Sequence, residues 1–170
     1  MIELTQTLIK PFMHYLVRAI IEQLEQELST AANASQQAHA SATHSENIAD
    51  NKYDTLAVEA AYLAHGQSMR IAELQQAIAL YQQFKRPQFS AQSSIQLGAL
   101  VCIEDDQGQQ RHLLLGPAAG GLSLNRNGDI ISLITPATPL GQALMGQTLD
   151  DEVLLQLNQQ QQRFTIVSIE

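Results

Sequence analysis

The sequence predicts an α+β protein: an antiparallel two-helix coiled coil over residues 1–87, then a small antiparallel sheet domain with one short helix over residues 88–170. Three observations predict it. Before Pro87, apolar residues recur in alternating three- and four-residue steps, the spacing of a helical seam. After Pro87 the apolar period shortens towards two, and turn residues separate the runs. Between the two helical stretches lies "HSENIADNKYDT", a short polar segment that lets the helices fold back on each other.

Tyr53, Leu56, Ala60, Leu63, Gln67, Ile71, Leu74, Ile78 and Tyr81 form the second seam, interrupted only by the polar Gln67. This predicts a helix over residues 52–85, closed by Lys85 and Arg86 at the negative end of its dipole and stopped by Pro87. The first helix is expected from about Pro11, which suits a first turn, to Ala42. Its apolar positions Val17, Ile20, Leu24, Leu28 and Ala31 thin into Ala34, Ala38 and Ala42. Alanine favours the helix but buries little area, so the far end of the pair is held weakly. Each arm would be roughly 45–50 Å long.

"IQLGALVCIEDDQGQQRHLLLG" reads as a hairpin turning at Asp105, Asp106 and Gly108. In "LSLNRNGDIISLI", Asn127-Gly128 is the dipeptide suited to a tight turn with positive φ angles. Thr138 as cap, Pro139 in the first position and Gly146 beyond the end predict a short helix. Within it Leu140 and Leu144 share one face and belong to the core. Two further strands, "EVLLQL" and "RFTIVSIE", are separated by the Gln159–Gln162 run, read as a solvated hairpin loop.

Charge narrows the function. Nine Lys and Arg against seventeen Asp and Glu give a formal net charge of −8, which argues against tight independent binding of nucleic acid, since no basic surface is available to displace counterions. The single cysteine, Cys102, has no disulfide partner and no zinc-type neighbours, as expected of a reducing compartment. The apolar run "FMHYLVRAII" is about half of a membrane span and contains Arg18. With no secretory or lipidation motif, no membrane association and a cytoplasmic location are expected.

The stretch "ITPATPLGQALMGQTLDDEV", followed by "FTIVSIE", resembles the C-terminal signature of the bacterial Gre transcript-cleavage factors. In that family a Ser-Pro-(apolar)-Gly-Arg-Ala-Leu-Leu-Gly run leads to Gly-Asp-Glu-Val and an isoleucine-rich last strand. Pro139, Leu140, Gly141, Ala143, Leu144, Gly146, Asp151, Glu152 and Val153 fit the pattern, whereas Thr138, Gln142 and Asp150 stand where it has serine, arginine and glycine. The resemblance implies an N-terminal coiled coil followed by an FKBP-like domain, an order that periodicity had already suggested. It further implies a non-enzymatic elongation factor that enters the secondary channel of RNA polymerase and stimulates the polymerase's own cleavage of backtracked RNA. Pro139, Leu140 and Gly141 are then candidate docking residues.

At the coiled-coil tip the family carries acids that help hold a second Mg2+ with the polymerase. Here "ENIADNKYD" supplies Glu46 and Asp50, with Asp54 a weaker candidate, at a spacing altered by one residue on each side. Hard cations take oxygen ligands, which accounts for carboxylates on a stiff arm. Capping competes with that reading: Asp50 or Asn51 can cap the second helix and Asp54 can meet its dipole, each contributing about 0.5–1 kcal/mol. Glu46 has less structural reason to be there. The alternative function is a modulator or inhibitor that occupies the channel without cleavage activity. His39 and His44, five residues apart, fall on different helix faces and make no metal pair. A prolyl isomerase is disfavoured, because Phe164 is the only aromatic residue in 90–170.

Overall fold

In the computed structural model, residues 2–45, 55–90, 92–126, 128–157 and 160–170 are described. The chain divides into two units, Met1–Gln82 and Gln83–Glu170.

The first unit is built on two helices, α1 (Ile2–Ser45) and α2 (Thr55–Gln83). Among the described side chains, those buried are Leu16, Ile20 and Leu24 on α1 and Leu74, Ala77, Ile78 and Tyr81 on α2. An ion pair of 2.7 Å joins Arg70 to Glu27 across the pair. Those facts require antiparallel helices. From the Glu27–Arg70 level, moving down α1 and up α2 brings Leu24 opposite Leu74 and Ile20 opposite Ile78, whereas a parallel pair would set Ile20 opposite the exposed Leu63. The seam predicted from periodicity is therefore followed in part: Leu74, Ile78 and Tyr81 are buried, but Leu63 is 68% exposed. The half-buried Ala64 and Gln67 keep step with Ile71, Leu74, Ile78 and Tyr81, so Leu63 falls beside the seam, and the alanines of α1 near that level are too short to cover it.

Both helix limits depart from expectation. Pro11 lies inside α1 and not in its first turn. α2 ends at Gln83, before Lys85 and Arg86, because Arg86 is drawn into the second unit.

That unit is a six-stranded sheet: β1 (Leu100–Asp105), β2 (Gln110–Leu115), β3 (Ser123–Arg126), β4 (Asp129–Ile134), β5 (Glu152–Leu157) and β6 (Gln160–Ile169), with α3 (Pro139–Leu144) between β4 and β5. The strand order is β3-β4-β2-β1-β6-β5. All pairings are antiparallel except β2 with β4, which run parallel. Alternation could not reveal that exception. The chain leaves β2, passes to the sheet edge as β3 and returns through a hairpin as β4 in the gap, so a hairpin strand ends up parallel to an earlier one.

The hairpins follow their turn chemistry. Asp105 accepts hydrogen bonds through Oδ1 from the amides of Gln107 and Gln109, both at 2.9 Å, closing the β1–β2 turn. The β3–β4 pairing runs to Arg126 opposite Asp129, and Gly128 adopts φ +101°. The glutamine run is different from the loop expected of it. Gln160, Gln161 and Gln162 pair with Leu157, Gln156 and Leu155, so they lengthen β6. Backbone pairing with β5 accepts any side chain on a solvated face, and a polar run does not prevent it.

The core lies on one face of the sheet: Val101, Ile103, Leu113, Leu115, Val153, Leu155, Phe164 and Ile166, closed by Leu144 of α3 and by Ile95 and Ala99. β1 is buried on both faces from Leu100 to Ile103, which explains its unbroken apolar run. Among the described residues, no helix is long and apolar enough to cross a membrane.

Arg86 secures the start of this unit. Its Nε donates to the Gly98 carbonyl at 2.8 Å, and its guanidinium lies 4.8 Å from the centre of the Phe89 ring. Gly98, at φ +91°, has no room for a Cβ, which would come 2.9 Å from Arg86 Cγ. A fragment of residues 83–170 should accordingly unfold cooperatively on heating, and Arg86→Ala within it should cost about 1–2 kcal/mol. Circular dichroism melts check both, and a broad, non-cooperative transition of the parent fragment would show that the unit does not fold by itself.

Candidate functional site

The motif "TPLGQALMG" is organised around one carbonyl. Thr135 O accepts from the Thr138 amide at 3.0 Å and from the Thr138 hydroxyl at 2.8 Å. The same hydroxyl oxygen accepts from the Gly141 amide at 3.1 Å, capping α3. Pro139 fills the first position, where no amide is needed. Gly141 is buried so close to Thr135 that a Cβ there would lie 2.0 Å from its carbonyl oxygen.

The helix end is tied down as well. Gly146, at φ +81°, donates its amide to Ile95 O at 2.8 Å, and the Ile95 amide donates to Gln147 O at 2.8 Å. Leu144 is fully buried and Leu140 packs partly against the same core, so both serve the core as expected. Pro139, Gln142 and Met145 are exposed.

Asp151 closes the following turn. Its Oδ2 accepts from the Thr148 amide at 2.7 Å and the Thr148 hydroxyl at 2.9 Å. The hydrogen bonds from Thr148, amide first and hydroxyl second, hold the Asp151 carboxyl below its ordinary pKa. Asp150 just before it sits at φ +67°, and its amide donates to Ile166 O at 2.9 Å.

The sequence-predicted residues are thus distributed unequally. Of the docking candidates, Pro139 presents a surface, Leu140 is half-buried and Gly141 faces inward, where close approach to Thr135 accounts for it. Glu46, Asp50 and Asp54 lie outside the described residues, as do the side chains of His39 and His44. Among the described residues no group of His, Cys, Asp or Glu could hold a metal ion.

Two features escaped sequence reasoning. Local rules place Arg86 at the helix dipole, but burial lowers its pKa, with Glu170 opposing, and its Nη2 is buried with no hydrogen-bond partner among the described residues. Arg163 pairs with Asp106 at 3.0 Å and approaches Glu152 at 3.8 Å. Nothing in a sequence marks a pair 57 residues apart.

The family model described as "Transcription elongation factor, GreA/GreB, C-term" matches residues 90–170. Residues 90–170 therefore belong to the Gre-type factor family. Among solved structures, the chain is similar to the GreA factor homolog 1 (Gfh1) protein of Thermus thermophilus, at 20% identity and a TM-score of 0.36 over 88% of this chain and 94% of the other. Gfh1 of Thermus aquaticus gives 22% and 0.38 over 88% and 92%. A GreA/GreB transcription elongation factor from Nitrosomonas europaea gives 14% and 0.34 over 68% and 94%. No curated protein sequence matches the chain.

The departures of this Gre-type domain from the family pattern now have physical readings. Threonine at 138 keeps the capping hydroxyl that serine would supply. Gln142 replaces a charged side chain on an exposed position and reaches the Ala137 carbonyl at 3.4 Å. Asp150 occupies a left-handed conformation where the pattern's glycine would be unstrained.

Opposite effects are expected from the two positions. Gly141→Ala should destabilise the domain by about 3 kcal/mol or more through the clash with Thr135, whereas Asp150→Gly should be neutral or stabilise by up to about 1 kcal/mol. Denaturant titration of both variants measures this.

The Asp151 carboxylate gives a signed pH effect. Its pKa is lowered in the folded protein, so its contribution is complete above the ordinary carboxylate range and is lost as pH falls through the lowered value. Asp151→Asn should therefore flatten the acid side of the stability profile between about pH 5 and pH 2, as followed by melting temperature against pH.

Proposed function

We propose that this Gre-type factor binds RNA polymerase through its secondary channel and stimulates the polymerase's own cleavage of backtracked RNA. The observation that carries the reading is the family match of residues 90–170, with a helical pair preceding them in the chain. The factor itself is not the enzyme. A cytoplasmic location goes with this reading.

Docking falls to the C-terminal domain. There the exposed Pro139, Gln142 and Met145, held in place by the Thr135–Thr138–Gly141 cap, offer a firm surface to a partner. Glu46 and Asp50, with Asp54 in support, would supply carboxylate oxygens to an Mg2+ ion shared with the polymerase, and the hard donor set suits that ion. The bound ion would stabilise charge and activate water for hydrolysis.

Glu46→Gln with Asp50→Asn tests the reading, because both changes keep shape and Asn caps a helix about as well as Asp. Binding to halted, backtracked elongation complexes should be unchanged. Release of 3′ RNA fragments should fall by a factor on the order of 100 or more, and raised Mg2+ should partly restore it. Undiminished cleavage by the double variant would remove the acids from the mechanism. Wild-type protein that binds but never stimulates cleavage would instead identify a channel-occupying modulator.

A further inference from the structure

Along the helix pair, packing thins at one level. Leu24 and Leu74 are each 2% exposed, Leu28 and Ile71 are half-buried, Gln67 and Ala64 continue the half-buried side, and Leu63, two turns beyond Ile71, is 68% exposed. The change falls next to Gln67, whose Oε1 is buried with no hydrogen-bond partner among the described residues. A buried acceptor left unmade favours any opening that hydrates it.

Gly66 adds to this. A Cβ there would meet nothing within 4 Å, so packing does not demand glycine, yet glycine in a helix interior favours the unwound state about fivefold over alanine. The hydroxyls of Ser68 and Thr30 donate back to the carbonyls of Ala64 and Gln26, each at 2.9 Å, an arrangement that loosens and bends helices. By the Glu27–Arg70 register, Thr30 on α1 stands at the level of Gln67 on α2. Weakness on both helices therefore coincides. The Arg70 guanidinium, bridging Glu27 at 2.7 Å and Glu73 at 3.7 Å, marks the firm side of that level.

We propose that the helix pair carries a built-in opening point at Gly66–Gln67, facing Thr30–Ala31. The stretch from Leu16 to Leu28 stays packed on Ile71 to Tyr81, while Thr55–Gly66 and the facing part of α1 separate and bend without unpacking it. Opening at this level hydrates Gln67 Oε1, and the large apolar side chains next to it, Tyr62 and Leu63, are already exposed. Its small cost is the reason the two segments move independently.

Hydrogen exchange by mass spectrometry on the full chain tests the proposal. Protection should fall at least tenfold in one step between peptides covering 71–83 and those covering 55–66, with a matching step on α1 near Thr30. Gly66→Ala with Gln67→Leu should remove the step, raising protection of 55–66 about tenfold while leaving 16–28 unchanged. Gln76→Ala, a helix-favouring change on the packed side, should leave the step in place. A smooth gradient along α2 would mean ordinary end fraying and overturn the proposal. So would a uniform rise in both segments of the double variant, or removal of the step by Gln76→Ala.

Discussion

One carbonyl oxygen organises the C-terminal domain. Thr135 O holds Thr138 by backbone and side chain, Thr138 holds the Gly141 amide, and the absence of a Cβ at Gly141 lets α3 lie against the end of β4. From that seat Leu144 reaches the core, and Gly146 and Gln147 reach the backbone of Ile95. The segment before β1 is thereby fastened to the segment before β5. Hydrogen bonds of this kind contribute only about 1 kcal/mol each, but they are mutually dependent, and the steric condition at Gly141 admits no substitute.

The two units are stabilised by different means. The sheet domain has a continuous core with an aromatic centre, Phe164, over which the Arg111 guanidinium lies at 5.3 Å. Among the described residues of the helix pair, the large buried side chains are Leu16, Ile20 and Leu24 with Leu74, Ile78 and Tyr81, and along α1 leucine and isoleucine give way to alanine and glutamine, which bury less area. Under the proposed function the arm enters a narrow channel, which would favour small side chains, and small side chains bury little area. Slenderness and firm packing are in that sense opposed.

Much of the site was legible because its determinants are local. A threonine followed by proline, and a glycine several residues later, specify a capped short helix through chemistry confined to nine residues, and the structure places each of them in that role. Arg86 was misread for the opposite reason. Beside Pro87 it satisfies every local rule for a helix end, yet its partner is the carbonyl of Gly98, brought near by the fold. The acids at 46, 50 and 54 rest on resemblance and on the chemistry of their side chains, and for those at 50 and 54 local spacing serves capping equally well.

The helical half, the strand-rich half, the change of period near Pro87, the hairpin turning at Gly128 and the capped helix could all be read from the sequence alone, because period and turn chemistry act between neighbours. That β4 lies parallel to β2, that the glutamines extend β6 and that Leu63 of the predicted seam is left exposed follow from the folded arrangement and not from local pattern. Each depends on what stands opposite a residue from a distant part of the chain. Backbone pairing is indifferent to side-chain polarity on a solvated face, and burial requires a partner large enough to cover the site. Neither condition is written in the residue's own neighbourhood.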